Sequence, residues 1–185
     1  MKTILIAALL LGTAPAFGQA AAATEQEAGT IEALDAKNGF RAYKFGTPKA
    51  SLQGLKERGK GVYVAPGEPL KVGEAKLMGL YFGLYDDKLA SVVMGAFGDD
   101  NCQKLLAALR AQYGPGEQVS STRIVWQGQL VTMTFEAKQT YSAYAGVYSS
   151  IKPSNSCTVS IMSNEALNAD KAAKDAAAKK AGGDL

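Results

Sequence analysis

The chain has no histidine, two cysteines and one tryptophan among its 185 residues. Histidine is the commonest general base near neutral pH and the commonest metal ligand, so its absence excludes Ser-His-Asp and Cys-His catalysis and His-ligated zinc or iron. Two thiols cannot build a four-thiolate zinc or iron–sulfur cage either. No stretch approaches the ~20 consecutive apolar residues of a membrane-spanning helix. A net charge of +3 is too near neutral to point to nucleic acid. What is present, 47% apolar residues, suits one globular domain, and nothing in it calls for a cofactor or a metal.

The start of the chain joins a charged residue, Lys2, to an apolar run from Ile4 to Leu11, then Gly12, Pro15 and the small residues Ala16, Gly18 and Ala20. This is the pattern of a secretory signal peptide. Small residues three apart allow cleavage after Gly18 or after Ala20, and we assign residues 1–18 to the signal. No cysteine lies nearby to take a lipid anchor. Export to the periplasm or the medium is expected, with no membrane insertion after cleavage.

Residues 19–38 are Ala, Glu, Gln and Thr with few large apolar side chains, too little to bury, so a mobile leader is expected. Residues 164–185 favour helix through Ala and Lys but carry no apolar stripe, which predicts a solvated helical tail stopped by Gly182-Gly183. Only Leu167 offers the bulky apolar face that a membrane-lying helix needs. The folded domain is placed at residues 39–163.

Inside it, Phe40 to Phe45 reads as a strand ending at Gly46, and Thr47-Pro48 as the start of a short helix from Lys49 to about Arg58 that buries Leu52 and Leu55. Leu77–Tyr85 and Lys88–Phe97 form a hairpin around Asp86-Asp87. With a two-residue turn, Leu84 faces Leu89, Phe82 faces Ser91, Leu80 faces Val93 and Met78 faces Gly95 on the core side. Asp99, Asp100 and Asn101 supply capping oxygens for a helix to Tyr113, whose Cys102, Leu105, Leu106, Leu109 and Tyr113 share one face. Gly114-Pro115-Gly116 ends it. In a second hairpin, Thr122, Ile124 and Trp126 face Val131, Met133 and Phe135 across Gln127-Gly128. Tyr141, Tyr144, Ala145 and Tyr148 fit a helix, a loop or an irregular strand, and Cys157, Val159 and Ile161 alternate as a final strand.

The order predicts an α+β fold, a largely antiparallel sheet with two helices packed on one face, flanked by the leader and the tail. Each helix precedes a hairpin, which raises the question of a duplicated unit. Cys102 and Cys157 both point inward, and an oxidising compartment favours a Cys102–Cys157 disulfide.

Lys44-Phe45-Gly46-Thr47-Pro48, Leu109 with Tyr113-Gly114-Pro115, and Val125-Trp126-Gln127-Gly128-Gln129 resemble turn and cap features of small exported bacterial α+β proteins. More distantly, the helix-then-hairpin order is similar to the outer-membrane-assembly lipoprotein (SmpA/OmlA) and β-lactamase-inhibitor folds. The resemblance covers about residues 39–163. It implies an envelope protein that binds rather than catalyses, and the missing lipid-anchoring cysteine departs from the lipoprotein pattern.

Ser149-Ser150-Ile151-Lys152 matches the S-x-x-K of penicillin-recognising enzymes, but the companion S-D-N and K-T-G elements are missing. Asp86-Asp87 and Asp99-Asp100 are adjacent pairs whose side chains diverge, and turns and caps want aspartate there. Gly59-Lys60-Gly61 and Gly114-Pro115-Gly116 lack the rest of a phosphate loop. Lys37, Arg41, Lys44, Lys49, Lys56, Arg58 and Lys60 make a basic segment opposed only by Glu57, spread over several directions. Tyr81 and Tyr85, beside Gly79 and Gly83, offer large aromatic area with polar tips and flat ground next to it, and are the candidate binding residues. The alternative is that these tyrosines simply pack over their glycine neighbours. The readings, in order, are a non-catalytic exported binding or envelope-interaction module with an envelope or extracellular protein as partner, a small-molecule or glycan binder using the tyrosine face, and a small hydrolase.

Overall fold

The computed structural model describes residues 29–59, 61–141 and 153–182. The expected signal peptide, the leader before Gly29, Lys60, Tyr144, Ala145, Tyr148 and the Ser149–Lys152 motif lie outside the described residues. In chain order the elements are α1 (Ile31–Lys37), β1 (Gly39–Phe40), β2 (Tyr43–Lys44), β3 (Lys56–Gly59), β4 (Val62–Val64), β5 (Lys71–Val72), β6 (Ala75–Lys76), β7 (Gly79–Tyr85), β8 (Lys88–Phe97), α2 (Asp99–Tyr113), β9 (Glu117–Ser120), β10 (Arg123–Gln127), β11 (Val131–Tyr141), β12 (Pro153–Ser163) and α3 (Asn164–Gly182).

Among the described residues, eight strands form one antiparallel sheet in the order β3-β4-β7-β8-β12-β11-β10-β9. Alternation puts the buried apolar residues of the inner strands on one face. β12 sits centrally: its Cys157, Val159 and Ile161 pair with Ala96, Met94 and Val92 of β8 on one side and with Ala137, Phe135 and Met133 of β11 on the other. In the second hairpin Trp126 pairs with Met133 and Ile124 with Phe135, all buried as expected.

Helix α2 lies on this face and buries Cys102, Leu105, Leu106, Leu109 and Tyr113, the whole expected stripe. Each leucine in it contributes about 2 kcal/mol by apolar transfer. Cys102 and Cys157 form a disulfide that ties α2 to β12, with Cα atoms 5.8 Å apart. The expected capping oxygens are used differently. Gly98 precedes the helix with no side-chain cap. Asp99 Oδ1 instead accepts from the Asn155 amide at 3.0 Å, and Asn101 exchanges two bonds with the Lys76 backbone at 2.8 and 2.6 Å. The helix start is thereby fixed to β12 and β6, while Asp99 and Asp100 still favour the helix dipole.

Three expectations need correction. The helix expected from Lys49 to Arg58 is a single 3-10 turn, Lys49–Ser51, followed by strand β3. Gly54 at φ +86° breaks the helical path, and two leucines are too small an anchor for so short a helix. Only α2 of the two expected helices therefore packs on the sheet, and the duplicated helix-plus-hairpin unit lapses. The strand expected from Phe40 to Phe45 is the small hairpin β1–β2, turned at Arg41 (φ 55°), and it covers the vacant ground, with Phe40 and Phe45 buried and Tyr43 4.6 Å from Phe82 between ring centroids.

The third correction is one of register. Asp86 and Asp87, at φ 50° and 53°, form the two-residue turn, and Leu84 does pair with Leu89. The next pair is Gly83 with Ser91, so Ala90 is an extra residue and β8 is bulged there. Beyond the bulge Phe82 faces Val92 and Leu80 faces Met94, not Ser91 and Val93. A one-residue slip exchanges the faces of β8: Val92, Met94 and Ala96 are buried, while Phe97 is exposed.

The stretch read as leader is helical at its end. In α1, Leu34 is fully buried, Asn38 closes the helix in the left-handed conformation, and the Gly29 amide bonds to Ala111 of α2. At the other end α3 buries Ala166 in its first turn, and from Lys171 to Lys179 every residue is exposed, as the solvated-tail reading expects. No helix among the described residues is long and apolar enough to cross a membrane.

Candidate functional site

Strand β7 alternates Leu80 and Phe82 into the core and Tyr81 and Tyr85 outward. Four residues of extended strand separate the two tyrosines by ~13 Å, and the structure places them in different recesses. Tyr85 borders a 40 Å³ dimple with Lys88 and Glu165. Tyr81 lines a 290 Å³ groove with Arg58, Val64, Pro66, Leu70 and Met78. The candidate pair is thus divided, and the larger groove belongs to Tyr81 alone.

The groove is built by three chain segments. Strands β3 and β4 supply Arg58 and Val64, the turn after β4 supplies Pro66 to Leu70, and the entry to β7 supplies Met78 and Tyr81. Arg41 holds the turn in place: its guanidinium bonds Glu68 Oε2 at 2.6 Å and the carbonyls of Pro69 and Lys71 at 2.7 Å each. Tyr81 lies over Gly79, where a Cβ would meet the ring at 2.6 Å. Packing over glycine and exposure coexist here, since Tyr81 remains 38% exposed, Leu70 48% and Met78 60%. Met78, expected in the core, faces solvent and reaches across to Gly95; it precedes β7, outside that strand's alternation, and Leu77 beside it is buried instead.

Sequence reasoning found Tyr81 but not Arg58, Leu70 or Met78. Pro66-Gly67-Glu68-Pro69 signals a turn, yet nothing in the sequence says that this turn closes on Tyr81.

The other candidates disperse. Asp86 and Asp87 occupy the turn, Asp99 bonds β12, and Asp100 pairs with Lys104 at 2.7 Å. Of the basic segment, Arg41 is committed to Glu68, and Lys49 lies 3.8 Å from Glu57 and over the Tyr63 ring. The Tyr63 hydroxyl is the main cause holding Lys49 above its ordinary pKa. Tyr43 is also raised, by burial first and by Glu68 second. No charged side chain is buried among the described residues, and none of their Cys, Asp and Glu groups cluster to hold a metal.

An antiparallel sheet layered with one main helix, carrying a shallow apolar groove on its far side, defines an α+β domain with a surface recess. No family model matches the chain, and no curated protein or solved structure matches it.

Proposed function

We propose that this chain is an exported, non-catalytic binding module whose partner is an envelope or extracellular protein docked at the Tyr81 groove. The observation that carries the reading is the joint exposure of Tyr81, Met78 and Leu70 around one shallow depression. Apolar side chains gathered on a surface mark interaction sites, and rigid aromatics concentrate binding energy there. The signal-like start and the Cys102–Cys157 disulfide support an oxidising destination, periplasm or medium. The resemblance to small exported bacterial α+β proteins, which implies binding rather than catalysis, belongs to the same proposal. A small-molecule or glycan site is less well supported, because a groove of 290 Å³ falls at the bottom of the ~300–1,000 Å³ range of ligand pockets.

The test is capture from envelope extract with the exported protein as bait, followed by mass spectrometry and measurement of Kd for each recovered partner. Tyr81→Ser should abolish specific capture while Tyr85→Ser leaves it unchanged, with both variants melting like the parent. Equal capture by parent and Tyr81→Ser removes the groove as the site.

A further inference from the structure

We propose that the Tyr81 groove takes an extended polypeptide segment presenting a large apolar side chain close to a carboxylate, with the carboxylate pairing with Arg58. This rests on the protein-binding reading above and adds the chemistry of the partner.

The charges lining the groove decide its sign. Glu68 and Arg58 both border it, but Glu68 is neutralised by Arg41 at 2.6 Å. Arg41 in turn is occupied by two further carbonyls, so it is not available to a ligand. Arg58 has no ion pair or hydrogen bond among the described residues. The groove is therefore apolar on its walls, through Val64, Pro66, Leu70, Met78 and Tyr81, with one uncommitted guanidinium at its rim. Arg presents a planar fork of donors that matches a carboxylate, and a charge-assisted pair beside an apolar contact gains strength as water is displaced.

The position of Arg58 favours a polypeptide over a free amphiphile. It lies on β3, the edge of the sheet, which is paired on one side only, with β4. An extended segment can hydrogen-bond along that open edge and alternate its side chains between the groove and solvent. Lys56, exposed on the same strand, adds a second positive charge along the path. Charged edge residues also keep sheets from pairing indiscriminately; that role by itself gives no preference for what the groove accepts.

The experiment selects phage-displayed random peptides on the exported protein and on its Arg58→Glu variant. The parent should enrich peptides with a large apolar residue within two positions of Asp or Glu. The leading peptide, read by fluorescence anisotropy, should bind Arg58→Glu about tenfold more weakly or worse, since a charged hydrogen bond is lost and repulsion is introduced. Exchanging its acid for lysine should restore binding to Arg58→Glu. No enrichment, enrichment without acids, or equal affinity for the variant overturns the proposal. So does Arg58-dependent binding to phosphatidylglycerol vesicles with no enriched peptide, which would make the partner a lipid surface. If the acid preference fails while Tyr81-dependent capture persists, this inference falls and the binding reading stands. If Tyr81→Ser captures its partners normally, the binding reading itself is lost.

Discussion

Asp35, on α1, bonds a turn 94 to 96 residues further along the chain. Its carboxylate accepts the amides of Gln129, Leu130 and Val131 at 2.6, 2.9 and 3.0 Å, holding the β10–β11 turn against α1. Gly128 leaves the space for it, because a Cβ there would collide with the carboxylate. Hydrogen bonds to a charged group are individually worth about 1.5–3 kcal/mol, and these are partly solvated. Asp35→Ala should therefore lower unfolding free energy by about 2 kcal/mol in urea titration. Gly128→Ala should be destabilising in the parent and nearly neutral in Asp35→Ala, a coupling that a double-mutant cycle reads directly. Tyr113 supplies a second residue-scale expectation. Burial pushes its hydroxyl up to about 12 from the ordinary 10.0. A folded-state pKa above the unfolded one means that this contribution is complete below pH 10 and is lost as pH rises toward 12. Melting temperature should fall across that interval, and Tyr113→Phe should fall less over the same range.

At the scale of elements, how much could be read depended on how each element is anchored. Helix α2 was legible because its five buried side chains repeat on one face over its full length. Helix α1 was not: it buries Leu34 alone, and its hold on the fold comes from Asp35 bonding residues far along the chain. Thr47-Pro48 looks like a helix start, and only the backbone at Gly54 shows why no helix follows. The Ala90 bulge puts Leu89 and Ala90 both inward, and the mostly apolar run from Val92 to Phe97 fits either face, so the pattern within β8 does not reveal the slip. For the same reason Tyr81 could be picked out as a surface aromatic, whereas Arg58, Leu70 and Met78 join it only through the topology. Helix α3 divides into two parts. Asn164 donates to the carbonyls of Gly128 and Gln129 at 2.9 Å and accepts from the Thr132 hydroxyl at 2.6 Å, whereas the helix from Lys171 to Lys179 is exposed. Truncation after Asp170 should leave the urea midpoint unchanged, while Asn164→Ala should cost about 1–2 kcal/mol. A large loss on truncation would show that the exposed turns support the domain.

For the whole molecule, the disulfide couples α2, the helix packed on the sheet, to the sheet's central strand β12 across a sequence separation of 55. Chain-entropy arguments give such a closure about 4 kcal/mol. Cys102→Ser with Cys157→Ser should lower stability by roughly that amount in urea titration, and non-reducing peptide mapping should recover the two cysteines linked. The central place of β12 bears on the order in which the chain is made. In the eight-stranded sheet, β3, β4, β7 and β8 on one side and β9 to β11 on the other emerge first, yet their ladders join only through β12, the last of its strands to arrive. Until Ser163 has been delivered, β8 and β11 each keep an unpaired edge. A polypeptide threaded outward as we propose would thus stay slack during transit, because the middle of its sheet does not yet exist, and would tighten only after its final strand is released.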